Sequence, residues 1–269
     1  MYELTYKQKE DLNKNSDFIL KASKIFSEKG FVVIKNIIPF EILNQVKLDL
    51  IKMVKEKKIE NSLRDVHFFD SGEISSAHNL LNYIPSYKDL MTKTKILDLI
   101  KTFYKDITVG DFNSSYFAKP KYEGLETKPH QDNAFFCMEP ANIATCWMPL
   151  TFALKKNGCL YYFEGSHTMG NLNHVPEGNL GASMTVDLKN LEKVKKNFNK
   201  TYIELTLGDC VIHNALVVHG SEANTSEHDR NAFNFSVGCN SSKRNHNLFK
   251  IYKNNLDNFL KKKKLNEIN

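Results

Sequence analysis

The segment KPHQDNAFF sets His130 and Asp132 two residues apart. On a strand edge, side chains at i and i+2 leave the same face, so an imidazole and a carboxylate can converge on one metal while Gln131 faces elsewhere. A third ligand is required, and GDCVIHNALVVHGSEANTSEHDRNAFNFSVG offers His213, His219 and His228. His219 is the best placed, because it ends the apolar run ALVV and precedes Gly220, which puts its ring at the rim of a β scaffold. Two histidines and one carboxylate form a facial set that holds ferrous iron and leaves coordination positions open. The HxD pair by itself also reads as an ordinary polar contact, so its surroundings decide. They include Arg230, eleven residues after His219 and one of only three arginines in the chain. A buried guanidinium there needs an anion, and a dicarboxylate supplies one in the paired, planar geometry that lysine cannot match. Ser221, two residues after His219, adds a hydroxyl toward the same carboxylate.

A scaffold must hold these residues. Residues 18–29, FILKASKIFSEK, repeat apolar side chains at helical spacing until Gly30 stops the pattern, and FVVIKNI follows as a β-branched strand. From Pro39 a second amphipathic helix carries Ile42, Leu43, Val46, Leu50, Ile51 and Val54 on one side. A polar, looped stretch is expected over about 60–86, and a third helix over 87–104. After residue 106 the texture changes to short strands, at 108–118, 121–130, 134–139, 143–150, 158–163, 201–206, 210–213, 216–219 and 231–239. Short strands without long intervening helices favour a sandwich or barrel over a βαβ sheet. An excursion at about 168–199, with NHVPEGNLGAS as loop and KNLEKVKKNF as a short helix, either covers the mouth of a site or crosses the surface. A final helix ends in the lysine run KKKKLNEIN.

Composition narrows the class. With 41% hydrophobic and 25% charged residues, 12 glycines and 7 prolines in 269, the chain is not fibrous, repetitive or disordered. One domain is expected, with helical support over about 1–105, a β core over about 106–240, and a C-terminal helix and basic tail over about 241–269. Five cysteines without a CxxC pair suggest reduced, buried thiols and a cytoplasmic setting. Neither a secretory leader nor a membrane-length apolar run is evident in the sequence. The charge of +6 is modest and partly produced at the tail, so a nucleic-acid partner is not expected. The expected partner is a small molecule, with the chain acting as a monomer or homodimer.

Taken together, these residues resemble the phytanoyl-CoA dioxygenase family of iron(II)- and 2-oxoglutarate-dependent oxygenases. GFVVIKNIIPFEIL is similar to that family's first strand and helix, HQDNAFF to its HxD strand, and CWMPLTFALKKNGCLYYFEGSH to its central strands and turn. HGSEANTSEHDRNAFNFS resembles its distal histidine region, including the spacing to the cosubstrate arginine. The resemblance implies a mainly β fold, a double-stranded β-helix (jelly roll, cupin-like) with supporting N-terminal α-helices. It assigns Fe(II) to His130, Asp132 and His219, and the distal carboxylate of 2-oxoglutarate to Arg230 and Ser221, with O2 as second cosubstrate. Trp147 matches an aromatic position beside that pocket, and Thr145 shares its face. His213 carries no metal role from the family and reads as an interior hydrogen-bonding residue. Halogenating relatives replace the carboxylate with a small residue; Asp132 is retained, which implies hydroxylation, with 2-oxoglutarate converted to succinate and CO2.

Other readings explain less. Zinc at the same ligands leaves Arg230 without a purpose, and GSH at 165–167 lacks the elbow of a serine nucleophile. The non-enzyme alternative is a β-sandwich binding protein of the same fold. For substrate, Phe135, Phe136 and Met138 can line a cavity or pack on the scaffold. Arg64, His67, His78 and Asn79 can meet a carboxylate, phosphonate or other polar head group, and His167 in the GSH turn is a further candidate. This mixture favours a small polar metabolite or natural-product intermediate over an acyl-CoA or carrier-bound substrate.

Overall fold

The computed structural model describes residues 2–6, 15–55, 66–69, 71–106, 109–179 and 182–266. Helix α1 (Asn15–Lys29) ends at Gly30, whose φ of +80° suits a residue without a Cβ; a Cβ there would also lie 2.6 Å from His167 Nδ1. β1 (Glu3–Thr5) precedes α1, and β2 (Phe31–Lys35) and α2 (Phe40–Lys55) follow it. The apolar stripe of α2 is buried at Ile42, Leu43, Val46 and Leu50, whereas Ile51 faces water. The stretch expected as loop contains β3 (Val66–Phe68) and β4 (Ile74–His78), which pair antiparallel. The helix expected over 87–104 is two, α3 (Tyr87–Lys93) and α4 (Ile96–Tyr104), broken at Thr94 by an extended backbone.

The β region contains β5 (Val109–Lys119), β6 (Thr127–His130), β7 (Met138–Glu139), β8 (Ile143–Pro149) and β9 (Leu160–Phe163), with the four-residue turn α5 (Asn133–Phe136) after β6. It continues with β10 (His174–Asn179), β11 (Ala182–Val186), α6 (Leu188–Asn197), β12 (Lys200–Ile203), β13 (Cys210–Asn214), β14 (His219–Ser221), β15 (Arg230–Cys239), β16 (Lys243–Arg244) and α7 (His246–Asn266). The loop expected at 173–183 is largely the β10–β11 hairpin.

Eight strands form the major sheet in the order β1-β2-β13-β8-β15-β5-β4-β3, and four form the minor sheet, β12-β9-β14-β6. Alternation sorts each major strand into two faces. Ala144, Cys146, Met148, Phe233, Phe235 and Ala77 join the core shared with α1, α2, α3 and α4. The opposite face packs Phe31, Val33, Trp147, Val211 and Ala232 against Leu160 and Tyr162 of the minor sheet. Phe31 and Tyr162 stack across that gap with ring centres 4.4 Å apart, a contact worth about 0.5–1.5 kcal/mol beyond its area. The result is a double-stranded β-helix sandwich with helices against one outer face. Among the described residues no helix is long and apolar enough to cross a membrane.

Candidate metal and cosubstrate site

β6 ends at His130, and Asp132 already has helical backbone, φ −58° and ψ −33°, as it opens α5. The two side chains therefore meet through a strand-to-helix turn rather than by alternation along one strand, and 134–139 is this turn plus the short β7 instead of a continuous strand. Asn133 locks the turn: its amide donates to Met138 O (3.1 Å) and Asn171 Oδ1 (2.6 Å), and its Oδ1 accepts from Met138 N (3.0 Å). His219 opens β14 directly opposite His130. Gly220 makes that pairing possible, because a Cβ would lie 2.6 Å from Thr127 O and from the Tyr161 hydroxyl.

One ligand atom from each of His130, Asp132 and His219 lies within 4.8 Å of the others. Nε2 of His130 and of His219 are 3.7 and 3.5 Å from Asp132 Oδ1. Nδ1 of His130 faces Lys128 O at 2.8 Å, and Nδ1 of His219 faces Val217 O at 3.1 Å. A carbonyl only accepts, so both Nδ1 atoms carry the proton and both Nε2 atoms present lone pairs. Burial pushes both imidazole pKa values down, that of His219 well down, and keeps them neutral. Asp132 Oδ2 accepts from Thr145 Oγ1 (2.7 Å) and His213 Nε2 (3.0 Å), and the Tyr162 hydroxyl donates to His213 Nδ1 (3.0 Å), fixing that tautomer. Burial favours the neutral acid, but the hydrogen bond from His213 holds Asp132 well below the usual carboxylate range. Two lone-pair nitrogens and a carboxylate oxygen crowded together repel each other without a cation. Their N,N,O chemistry fits ferrous iron, with Oδ1 free for the metal and Oδ2 held by the protein.

Arg230 begins β15, is 3% exposed, and its Nε has no hydrogen-bond partner; no carboxylate pairs with it among the described residues. Its guanidinium carbon lies 5.6 Å from the Trp147 ring centre, and burial lowers its pKa to about 10. Ser221 Oγ is also buried without a partner. Lys119, opposite Arg230 in register and 4% exposed, donates to Glu222 O (2.6 Å) and Ser221 O (3.4 Å). Burial first, then Arg230, pushes the Lys119 pKa well below its usual value. A buried guanidinium and a buried amine beside an idle hydroxyl, with no carboxylate hydrogen-bonded to them among the described residues, fit an anionic ligand, and a carboxylate matches the guanidinium fork. Sequence reasoning missed Lys119, since a lysine ending a strand reads as solvated.

Thr145 holds Asp132 and meets Ser236 Oγ at 3.0 Å. His213 is the interior hydrogen-bonding residue its sequence context suggested. Phe135 packs edge-on against His130 (5.7 Å) and Tyr252 of α7 (6.0 Å), whereas Met138 pairs with Arg244. Phe136 is half-buried in α5 beside Phe135. Asn79 is exposed with φ +58°, a turn position, and His167 bonds Ser27 O of α1 at 3.0 Å, with none of its described contacts to the triad. His228 is on the surface beside Glu227. His67 and His78 share the inner face of β3 and β4, their ring centres 6.0 Å apart. Arg64 lies outside the described residues. Gln131 ties the HxD segment to the excursion and to the β13–β14 connection: it donates to Gly170 O (2.8 Å) and Leu216 O (2.6 Å), accepts from Leu172 N (2.8 Å), and gives its own N–H to His174 Nε2 (3.0 Å).

This sandwich, with a two-histidine, one-aspartate metal site between its sheets, has the fold and centre of the Fe(II)/2-oxoglutarate-dependent oxygenase class. The chain belongs to the phytanoyl-CoA dioxygenase (PhyH) family, whose sequence profile matches residues 26–232. Phytanoyl-CoA dioxygenase domain-containing protein 1 of Rattus norvegicus is 28% identical over 161 residues, 60% of this chain and 55% of that protein. Phytanoyl-CoA dioxygenase of Arabidopsis thaliana is 28% identical over 203 residues, 70% of each. The matches to the rat and Bos taurus domain-containing proteins thus span about half of those relatives, 55% and 43%. The crystal structure of EctD from S. alaskensis with 2-oxoglutarate and 5-hydroxyectoine superposes with a TM-score of 0.68 at 16% identity, covering 87% of this chain and 78% of that one. The carbocyclase SnoK gives 0.67 at 19% identity, covering 83% and 85%. At such identities the likeness is one of fold.

Proposed function

We propose that the protein is an Fe(II)- and 2-oxoglutarate-dependent dioxygenase that hydroxylates a small polar metabolite or natural-product intermediate. The observation that carries this reading is the pairing of a lone-pair triad with a buried, unpaired arginine within one sandwich. His130, Asp132 and His219 would hold iron, and Arg230 with Ser221 would take the distal carboxylate of the keto acid. Iron bound there would supply the activation of dioxygen that is coupled to decarboxylation of 2-oxoglutarate. The protein's own part is positional. Thr145 and His213 fix the Asp132 carboxylate, the two backbone carbonyls hold both metal-facing Nε2 atoms free of protons, and Trp147 flanks the guanidinium. Retention of Asp132, rather than a small residue, supports oxygen insertion over halogenation. Five buried free cysteines support a reduced, cytoplasmic setting.

The test is anaerobic reconstitution with Fe(II) and 2-oxoglutarate, followed by air and a metabolite panel scored for succinate and for a mass gain of one oxygen. Stoichiometric binding of both and succinate release are expected. A folded protein that binds Fe(II) but neither binds nor consumes 2-oxoglutarate would refute the proposal.

A further inference from the structure

The inner face of the major sheet keeps two partly exposed side chains, Asn234 and Phe117, beyond the triad. On β15, Phe233 and Phe235 are fully buried against the helices, yet Asn234 between them keeps partial exposure although its strand lies in the middle of the sheet. Phe117 of β5, on the same inner face, is also partly exposed. Register sets one polar row across this face: Asn234, next to Trp147 on one side, is opposite Ser115, and Ser115 is opposite His78. Ser236, the next inner residue along β15, reaches Asp132 through Thr145. The row therefore starts beside the metal's carboxylate and runs away from it, about 5 Å per strand.

The far end of the row is unsatisfied. His78 Nδ1 meets Ser115 Oγ at 2.9 Å, but His78 Nε2 and Ser76 Oγ, both on the inner face of β4, are buried without partners. Leaving such atoms unpaired is costly. We infer that Asn234, Ser115, His78 and Ser76 form a specificity subsite that binds an uncharged hydrogen-bonding group of the substrate, a hydroxyl or carboxamide, remote from the metal. This inference rests on the oxygenase reading and narrows its substrate.

The chemistry selects the class. Hydroxyls, a carboxamide and an imidazole both donate and accept, so they complement a neutral group with the same double capacity. Burial, reinforced by His67, brings the His78 pKa down to about 4, which leaves the ring without charge at neutral pH. Lys119 and Arg230 lie four residues further along their strands, where Arg230 is assigned to the cosubstrate. Among the described residues, an anion at His78 would be desolvated with no buried cation of its own. Phe117, edge-on to His78 at 5.5 Å, adds an apolar wall beside the polar row. The described residues of this row therefore complement a neutral group better than the carboxylate or phosphonate admissible from sequence.

The test uses protein loaded with Zn(II), a diamagnetic stand-in, and 2-oxoglutarate, with histidine labelled in 15N. Benzyl alcohol, benzamide, benzoate and benzylphosphonate are titrated separately while the His78 Nε2 resonance, assigned by its loss in His78→Gln, is followed. The two neutral probes should move it, the two anions should not, and Ser76→Ala should weaken the neutral probes about fivefold. Equal or stronger response to the anions, or no response to any probe in a protein that binds 2-oxoglutarate, overturns the subsite. A protein that answers to the neutral probes but binds no 2-oxoglutarate keeps the subsite and overturns the oxygenase reading.

Discussion

Replacing Arg230 by methionine should move stability and ligand binding in opposite directions. In the ligand-free protein the guanidinium is 3% exposed, unpaired, and directly opposite a second buried cation, Lys119. A side chain of similar length without charge removes the desolvation cost and the repulsion together. The gain is about 1–3 kcal/mol, the cost of an unsatisfied buried polar group, and corresponds to a rise of roughly 2–5 °C in Tm for a chain of this size. Binding loses the charged fork. Truncating one partner of a buried, hydrogen-bonded charge pair costs about 2–5 kcal/mol, so 2-oxoglutarate affinity should fall by at least about thirtyfold. The wild type at saturating cosubstrate, by contrast, gains about 2.7 kcal/mol at one hundred times Kd. Scanning calorimetry of wild type and Arg230→Met, with and without 2-oxoglutarate, measures both terms. Arg230→Lys keeps charge without the fork and should lose about tenfold in affinity, or 1.4 kcal/mol, without the apo gain. A variant Arg230→Met that melts lower when ligand-free and is still stabilised by 2-oxoglutarate would show that Arg230 is a structural ion-pair residue.

Thr145→Val removes one of the two donors to Asp132 Oδ2 and should weaken Fe(II) about tenfold, read by anaerobic metal titration; unchanged affinity would remove Thr145 from the support of the ligand. Stability should fall as pH drops from about 6.5 toward 4, since burial lowers the pKa values of His78 and His174 to about 4 and the unfolded chain then takes protons the native state refuses. A Tm that is flat or rises from pH 7 to pH 5 contradicts this. Gln131→Leu strips two side-chain hydrogen bonds to the excursion, at Gly170 and Leu172, and one to Leu216, and should speed amide exchange at Leu172, whose N–H it accepts; unaltered exchange there would mean that Gln131 does not anchor the segment.

The sequence disclosed most where one face of an element is buried throughout. The stripe of α2, at Ile42, Leu43, Val46 and Leu50, and the alternation of β15 are legible because those positions meet a core. Residues 134–139 misled because apolar, aromatic runs fit a strand, while the deciding contacts of Asn133, to Met138 and Asn171, are polar and one of them is distant in sequence. The hairpin β10–β11 was hidden by its Pro and Gly, and its placement comes from tertiary bonds such as Thr185 Oγ1 to Pro129 O (2.9 Å). At the site, the ligand types and Arg230 could be read from spacing. The supporting bonds of Thr145, His213 and Tyr162 could not, because they join strands that are neighbours only in the folded sheet.

The order of the major sheet bears on how the protein is made. β13, which carries His213, is zipped between β2 near the start of the chain and β8 in its middle. His219 meets His130 only when β14 pairs with β6. A ribosome extending the chain at about 5–20 residues per second thus exposes His130 and Asp132 well before their partner exists. Pairings so distant in sequence close slowly. Metal capture consequently waits for β14, and a growing chain offers iron no complete chelate until nearly all of the sandwich has been translated.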